Sequence, residues 1–161
     1  MSRPERQWVL LSYRLPREPS TPRITVWRKL KRLGVGQISD GLVALPAGAH
    51  TQEQLEWIAE EVTDFGGTAT VWIAQPAAAG HEQQLVKDMT QARAAEYQQI
   101  LAQADNARDT DDAERRRVLA KLRAELRRIQ RRDHFPPPGR HAAESAVEAL
   151  QPANTTEEST P

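Results

Sequence analysis

Cysteine is missing from the 161 residues of this sequence. Its absence excludes disulfide-stabilised scaffolds, cysteine-ligated zinc sites and catalysis or redox sensing by a thiol. Long apolar runs are also missing: none approaches the roughly 18 residues of a membrane-spanning helix, so we expect no membrane partner. The polar residues 1–7 lack the apolar stretch of a secretory signal, and we therefore expect a cytoplasmic protein.

A net charge is lacking as well, because 22 basic residues balance 22 acidic residues. This balance excludes a uniformly basic nucleic-acid-binding protein, yet the charges are unevenly placed along the chain. Residues 14–32 contain seven bases and one acid, residues 115–132 contain nine bases and one acid, and residues 53–64 contain five acids and no base. The sequence therefore predicts surfaces of strongly opposite sign.

Strand-like and helix-like patterns alternate through the first half of the chain. Residues 8–15 are rich in aromatic and branched apolar side chains, which predicts a buried strand. Ser20, followed by a threonine and a proline, predicts the start of a helix, and Gly34 predicts its end. The first strand and the first helix are therefore both bounded by local signals.

The same alternation continues to residue 75. Residues 37–45 predict either one strand or a short hairpin, and residues 68–75 predict a further strand. Between them, Thr51 and Gln54 fit a capping box at the start of a helix that ends at Gly66. This order of elements predicts an α+β fold, namely a ferredoxin-like antiparallel sheet with two helices on one face.

Helical periodicity dominates the second half of the chain. Apolar residues recur at helical spacing on both sides of a polar segment at residues 105–112, which predicts an α-helical hairpin. The residues after the hairpin lack a core-forming pattern, which predicts a disordered tail. We therefore divide the chain into a ferredoxin-like α+β domain at 1–76, a helical hairpin extension at 77–134 and a disordered tail at 135–161.

One face of the predicted sheet lies opposite the two helices and needs cover. A domain of this size buries only about 60% of its unfolded surface, so the cover must come from the rest of the chain or from a second subunit. Trp57 lies about 180° from the apolar stripe of its helix, which makes it a candidate partner interface. We therefore expect a homodimer. The alternative for Trp57 is a ring partly buried against a loop or the helical hairpin.

Two basic helix faces form the candidate nucleic-acid interface. In residues 115–132 the apolar side chains occupy an arc of about 100°, and bases cover the opposite side with few acids among them. Such a surface can bind the phosphates of DNA by releasing counterions. The alternative is a solvated face, or one paired with the acids of residues 52–65. The predicted nucleic-acid-binding residues are Arg28, Lys29, Lys31, Arg32, Arg116, Arg123, Arg127 and Arg131.

Residues for catalysis or metal binding do not form a recognisable pattern. The sequence has four histidines: His50, His81, His134 and His141. None has a second histidine or an acid at ligand spacing, and we expect each of them at the surface. The glycine pairs near residues 34 and 66 are explained as helix ends rather than as a phosphate-binding loop. We therefore expect no enzyme activity, no cofactor and no metal.

Four sequence blocks carry a resemblance to a known family. They occur in order along the chain: Trp8–Pro16, Val26–Gly34, Gly41–Pro46 and Gly66–Val71. With the helical region that follows, they resemble the N-terminal domain of the chromate resistance protein ChrB family over roughly residues 7–132. The second block, with its alternating basic and apolar residues, is the most specific of the four.

The resemblance implies a fold, a function and a partner. ChrB-type proteins are regarded as regulators of chromate-resistance operons, and their N-terminal domain is related in fold to the middle domain of phenylacetate-type repressors. The resemblance thus implies DNA-associated transcriptional control. Family members also carry a second, C-terminal domain, so a separately encoded C-terminal ChrB domain is a candidate partner. The alternative function is a non-enzymatic interaction module that dimerises or docks such a sensory domain.

The resemblance extends in fold to the ferredoxin-like nucleases of CRISPR adaptation, which hold a divalent metal with an aspartate at the end of the first strand. The corresponding residues here, Ser12–Leu15, contain no carboxylate. Arg14 would repel a cation at that position, so metal-dependent hydrolysis is disfavoured.

Overall fold

The computed structural model describes residues 6–152, which contain four strands and five helices. In chain order they are β1 (Trp8–Arg14), α1 (Thr21–Leu33), β2 (Gly36–Ser39), β3 (Leu42–Pro46), α2 (Ala49–Asp64), β4 (Thr68–Ala74), α3 (Ala79–Ala107), α4 (Asp112–Arg131) and α5 (Gly139–Glu148).

The four strands form one antiparallel sheet in the order β2-β3-β1-β4. With α1 and α2 in their places along the chain, this is the predicted ferredoxin-like arrangement, and the predicted fold class is confirmed. Residues 36–46 form a hairpin rather than a single strand, because the chain turns at Asp40 and Gly41. A register shift between Gln37 and Ser39 interrupts the pairing of this hairpin.

The two helices cover one face of the sheet. Val9 and Leu11 of the central strand β1 alternate onto that face and are completely buried there. Apolar residues of both helices pack against them, and the buried ones are Val26 and Leu30 of α1 and Leu55, Ile58 and Val62 of α2. Both helices therefore bury one apolar face against the sheet.

The opposite face of the sheet is partly covered by the chain itself. Trp8 lies on this face and is only 1% exposed, in a cluster with Ala44 and Met89 of α3. The indole nitrogen of Trp8 donates a hydrogen bond to Glu82 Oε1 at 3.0 Å. The Phe135 ring lies 5.9 Å from the Trp8 ring, centroid to centroid.

The chain divides into two compact units. The first includes the sheet, the start of α3 up to Gln91, and the short segment Arg131–Phe135. The second begins at Ala92 and contains the rest of α3, most of α4, and α5. Its core is built from residues of all three helices: Tyr97, Ile100, Ala104, Ala107, Leu119, Leu122, Leu126, Ile129, Ala143, Val147 and Leu150.

Helix α5 corrects the prediction of disorder after residue 134. Ala143, Val147 and Leu150 follow one another at helical spacing and are buried in the second core. The prolines before the helix mark where it begins and do not end the ordered part of the chain. Pro138 is the N-cap of α5 and already has helical backbone angles. The part of the predicted tail at residues 153–161 lies outside the described residues.

Two local predictions also need correction. Helix α2 begins at Ala49 rather than after Thr51, because the Thr51 hydroxyl donates to the carbonyl of Pro46 at 2.7 Å instead of capping the helix. His134 was expected at the surface, yet it is half-buried, and its Nε2 lies 2.8 Å from the Leu33 carbonyl. That carbonyl can only accept, so Nε2 carries the proton.

The end of α1 lies in close contact with the segment after α4. Gly34 caps the helix with a φ of 74°, and its N–H donates to carbonyls of the last helical turn. A Cβ atom at this position would lie 2.2 Å from the carbonyl oxygen of Arg132. Glycine is therefore required both by the left-handed backbone and by the neighbouring chain.

We predict that Leu150→Ala lowers the free energy of unfolding by about 2–4 kcal/mol, because it leaves a cavity in the core of the second unit. Urea denaturation measures this change. The exposed residue Ala142 of α5 provides the control, and Ala142→Ser should alter stability little. An unchanged urea midpoint for Leu150→Ala would contradict the assignment of α5 to this core.

We predict that Gly34→Ala is more destabilising than Gly66→Ala. Gly66 also has a positive φ, of 84°, but a Cβ there meets no atom within 4 Å. The Gly66 variant should therefore lose only the roughly 1–2 kcal/mol of a left-handed alanine, whereas the Gly34 variant adds a backbone clash. Equal urea midpoints for the two variants would refute the proposed contact with Arg132.

Candidate nucleic-acid interface

Four of the predicted arginines form a stripe along α4. Arg116, Arg123, Arg127 and Arg131 are separated by seven, four and four residues, which places them within an arc of about 80°. The buried residues of α4, such as Leu122 and Leu126, occupy the opposite side. At 1.5 Å per residue the stripe is about 22 Å long.

The first turn of α4 neutralises its own arginines. Arg115 pairs with Asp112, and Arg117 pairs with Glu114 at 2.6 Å, both at a spacing of three residues. The hydrogen bond that Arg117 donates to Glu114 raises the pKa of Arg117, which favours the charged guanidinium. Acids at this end of a helix also interact favourably with the helix dipole.

Arg123 differs from the other members of the stripe, because it is bound to α5. Its Nε and Nη2 donate to the carboxylate of Glu148 at 3.0 and 2.8 Å, and Nη2 also lies 3.4 Å from Gln151 Oε1. The hydrogen bond from Arg123 lowers the pKa of Glu148. This bidentate contact has a favourable geometry for an exposed ion pair. Arg123 is thus occupied by a partner that the sequence placed in a disordered tail.

The remaining bases of α4 face solvent. Within residues 6–152 the structure gives no hydrogen bond or ion pair to five exposed bases of this helix: Arg116, Lys121, Arg127, Arg128 and Arg131. Three of the four predicted arginines of the stripe are therefore available to an external anion. Glu125 is the one acid among residues 115–132, and within residues 6–152 the structure gives it no ion pair with these bases.

The basic residues of α1 likewise divide into those that contact another side chain and those that face solvent. Arg28 and Arg32 are exposed, whereas Lys29 donates to both oxygens of Glu61 on α2, at 2.7 and 2.6 Å. The Lys31 ammonium lies 5.5 Å from the centre of the Trp27 ring, which is a cation–π distance. Helix α2 thus supplies an acid to α1 at one position, and Arg28 and Arg32 remain free to bind anions.

Trp57 is an exposed aromatic residue of α2. Its side chain is 61% exposed. The exposed acids Glu53, Glu56 and Glu60 lie on the same helix. A large aromatic ring exposed among charges is typical of a contact surface.

Among residues 6–152 no group of three or more histidine, aspartate or glutamate side chains is placed to hold a metal ion. In the same range no helix has the length and apolar character that a membrane crossing requires.

Comparisons with known proteins place this chain in a family. The family model described as "Protein ChrB, N-terminal" matches residues 23–158. Protein ChrB of Cupriavidus metallidurans (strain ATCC 43123 / DSM 2839 / NBRC 102507 / CH34) is 31% identical over 139 residues, which cover 84% of this chain and 42% of that protein. The chain therefore spans less than half the length of this relative. No solved structure matches the chain. The match over most of its length shows that the chain belongs to the family of ChrB N-terminal domains.

Proposed function

We propose that this protein is a ChrB-type regulator that associates with DNA in the transcriptional control of chromate resistance. The observation that carries the proposal is the row of unpaired arginines on α4, at Arg116, Arg127 and Arg131. A guanidinium group can donate two parallel hydrogen bonds to a phosphate. Membership of the ChrB family supports the same role.

The stripe has the dimensions of a backbone contact. Its length of about 22 Å is roughly two thirds of the 34–36 Å turn of a DNA duplex, so one helix can contact several phosphates in succession. Contacts of this kind position a protein on DNA without reading its sequence. Arg28 and Arg32 of α1 supply a second, separate set of free cations.

The proposed function is binding rather than catalysis. Arg14 is exposed at the end of β1, the position at which the related nucleases carry a carboxylate. A guanidinium there disfavours a divalent cation and favours an anion. We therefore treat the protein as a non-enzymatic module.

We predict that replacing Arg116, Arg127 and Arg131 together with glutamine weakens binding to all duplex sequences alike. Each lost phosphate contact should reduce the slope of log K against log salt by roughly 0.9, since fewer counterions are released. Fluorescence anisotropy at several salt concentrations measures this slope. The melting temperature should stay unchanged, because these side chains have no partner within residues 6–152.

Two neighbouring arginines provide a matched control for this experiment. Arg117 is one residue from Arg116 and equally charged, but it is already paired with Glu114. Arg117→Gln should therefore change DNA affinity less than Arg116→Gln does. Identical losses for the two single variants would indicate an effect of net charge alone, and unchanged anisotropy for the triple variant would end the proposal.

A second candidate function is an interaction module that dimerises or docks a separately encoded C-terminal ChrB domain. The exposed Trp57 favours it, and the edge strand β4 exposes Trp72 and Ile73 by 54% and 50%. Edge strands with exposed apolar residues readily pair with another chain. We take a second copy of this chain as the first partner to test.

We predict that Trp57→Ser raises the dissociation constant of the homodimer about tenfold or more, since buried tryptophans dominate the energy of many interfaces. Analytical ultracentrifugation across a concentration series gives this constant. Ile38 is 49% exposed at the opposite edge of the sheet, and Ile38→Ser serves as the control with little expected effect. A wild-type protein that stays monomeric at tens of micromolar would exclude the homodimer.

A further inference from the structure

A basic pocket lies where β1 ends and α1 begins. Its walls come from the last residues of β1, the loop that follows it, the first turns of α1 and the β2–β3 turn, and its volume is about 870 Å³. The N–H of Tyr13 donates to the Gly41 carbonyl at 2.8 Å, which holds that turn against the end of β1. The positive charge of this region is evident from the sequence, whereas the pocket is formed only by the fold.

Three arginines line this pocket: Arg14, Arg17 and Arg23. All three are exposed, and within residues 6–152 the structure gives none of them a hydrogen bond or an ion pair. Asp40 is the one acid among the residues of the wall. Three guanidinium groups against one carboxylate leave this pocket positively charged, and that charge attracts an anion.

Neutral donors add to the positive charge. Ser20 is the N-cap of α1, yet its side chain makes no capping hydrogen bond, and the first turn of the helix contains no acid. The N–H groups at the start of α1 thus remain attractive to an anion. Burial raises the pKa of Tyr13, with the nearby Arg23 acting in the opposite direction, so its hydroxyl keeps the proton and can donate.

Apolar side chains form another part of the wall. Ile24 is 49% exposed at the pocket, and Leu15 and the half-buried Trp27 lie beside it. An inorganic anion alone would leave these apolar side chains exposed to water. A ligand that joins an anionic group to an apolar or planar group would satisfy both parts of the pocket.

We propose that this pocket binds a small phosphorylated molecule. Its phosphate lies among Arg14, Arg17 and Arg23, and its apolar or planar part lies against Ile24 and Trp27. Three arginines around one concave pocket fit a compact dianion better than a duplex, whose phosphates need a row of cations such as the stripe on α4. The proposal goes beyond DNA binding and does not depend on it.

Titration of the ¹⁵N-labelled full chain, followed by two-dimensional NMR, tests the proposal. The probes are inorganic phosphate, adenosine 5′-monophosphate and sodium chloride at matched ionic strength. We expect both phosphates to give saturable shifts at the amides of Arg14, Arg23 and Gly41. The monophosphate should bind more tightly, because its ring can contact the apolar wall. Shifts that follow ionic strength alone would overturn the proposal.

Charge variants make the test specific. Arg23→Gln should weaken monophosphate binding about tenfold, the effect of losing one charge-assisted hydrogen bond. Arg23→Lys should retain more of the affinity. Arg108 is exposed and does not line the pocket, so Arg108→Gln is the matched control. Equal losses in Arg23→Gln and Arg108→Gln would contradict a defined site. Unchanged spectra outside the pocket establish that the variants are folded.

A duplex DNA arm separates this proposal from the proposed function. If DNA shifts the same amides while the monophosphate gives no saturable shift, the pocket is a DNA contact and the small-molecule proposal is wrong. If the triple variant of α4 loses DNA binding but still binds the monophosphate, both proposals are supported. Saturable monophosphate binding in a protein that does not bind DNA would support the pocket and end the proposed function.

Discussion

The burial of Trp8 on the central strand is the interaction on which the first unit depends. The ring occupies the sheet face that α1 and α2 do not cover, and it contacts Met89 of α3 and Phe135. Its N–H is satisfied by Glu82, so the polar atom of a 1% exposed side chain does not lack a partner. One residue of β1 thereby attaches segments about 75 and 127 positions away in sequence to the sheet.

The zero net charge of the chain conceals a division between bases with and without partners. Acids in the first turn of α4, on α2 and on α5 each pair with one nearby base, as Glu61 does with Lys29. The cations without a described partner are concentrated on α4, on α1 and around the pocket that contains Arg23. Pairing of surface charges contributes little to stability. In this chain, the pairing mainly determines which arginines remain able to bind a ligand.

Local signals were sufficient to predict the sheet and its helices. Strands and helices in the first half are bounded by proline and glycine, and Gly34 ends α1 as the sequence indicated. Helix α5 escaped prediction because it has only two buried apolar residues, Ala143 and Val147, with Leu150 just beyond its end, and the surface that buries them comes from α3 and α4. Arg116 and Arg123 likewise have similar sequence surroundings, and only the fold brings Glu148 to one of them. Thr51 shows the same limit at short range. The sequence predicts that its hydroxyl caps α2, whereas the hydroxyl donates to the carbonyl of Pro46.

Helix α3 runs without a break from Ala79 to Ala107, and its first turns belong to one compact unit while its later turns belong to the other. The insertion of one residue between Tyr97 and Ile100 would rotate the later side chains by about 100° relative to Tyr97 and advance them by 1.5 Å. Ile100 and Ala104 would then leave the side of the helix on which Tyr97 is buried in the core of the second unit. Related sequences can therefore vary in length at the polar turn near Asp109, whereas within this part of α3 they can do so only by whole multiples of about seven or eleven residues.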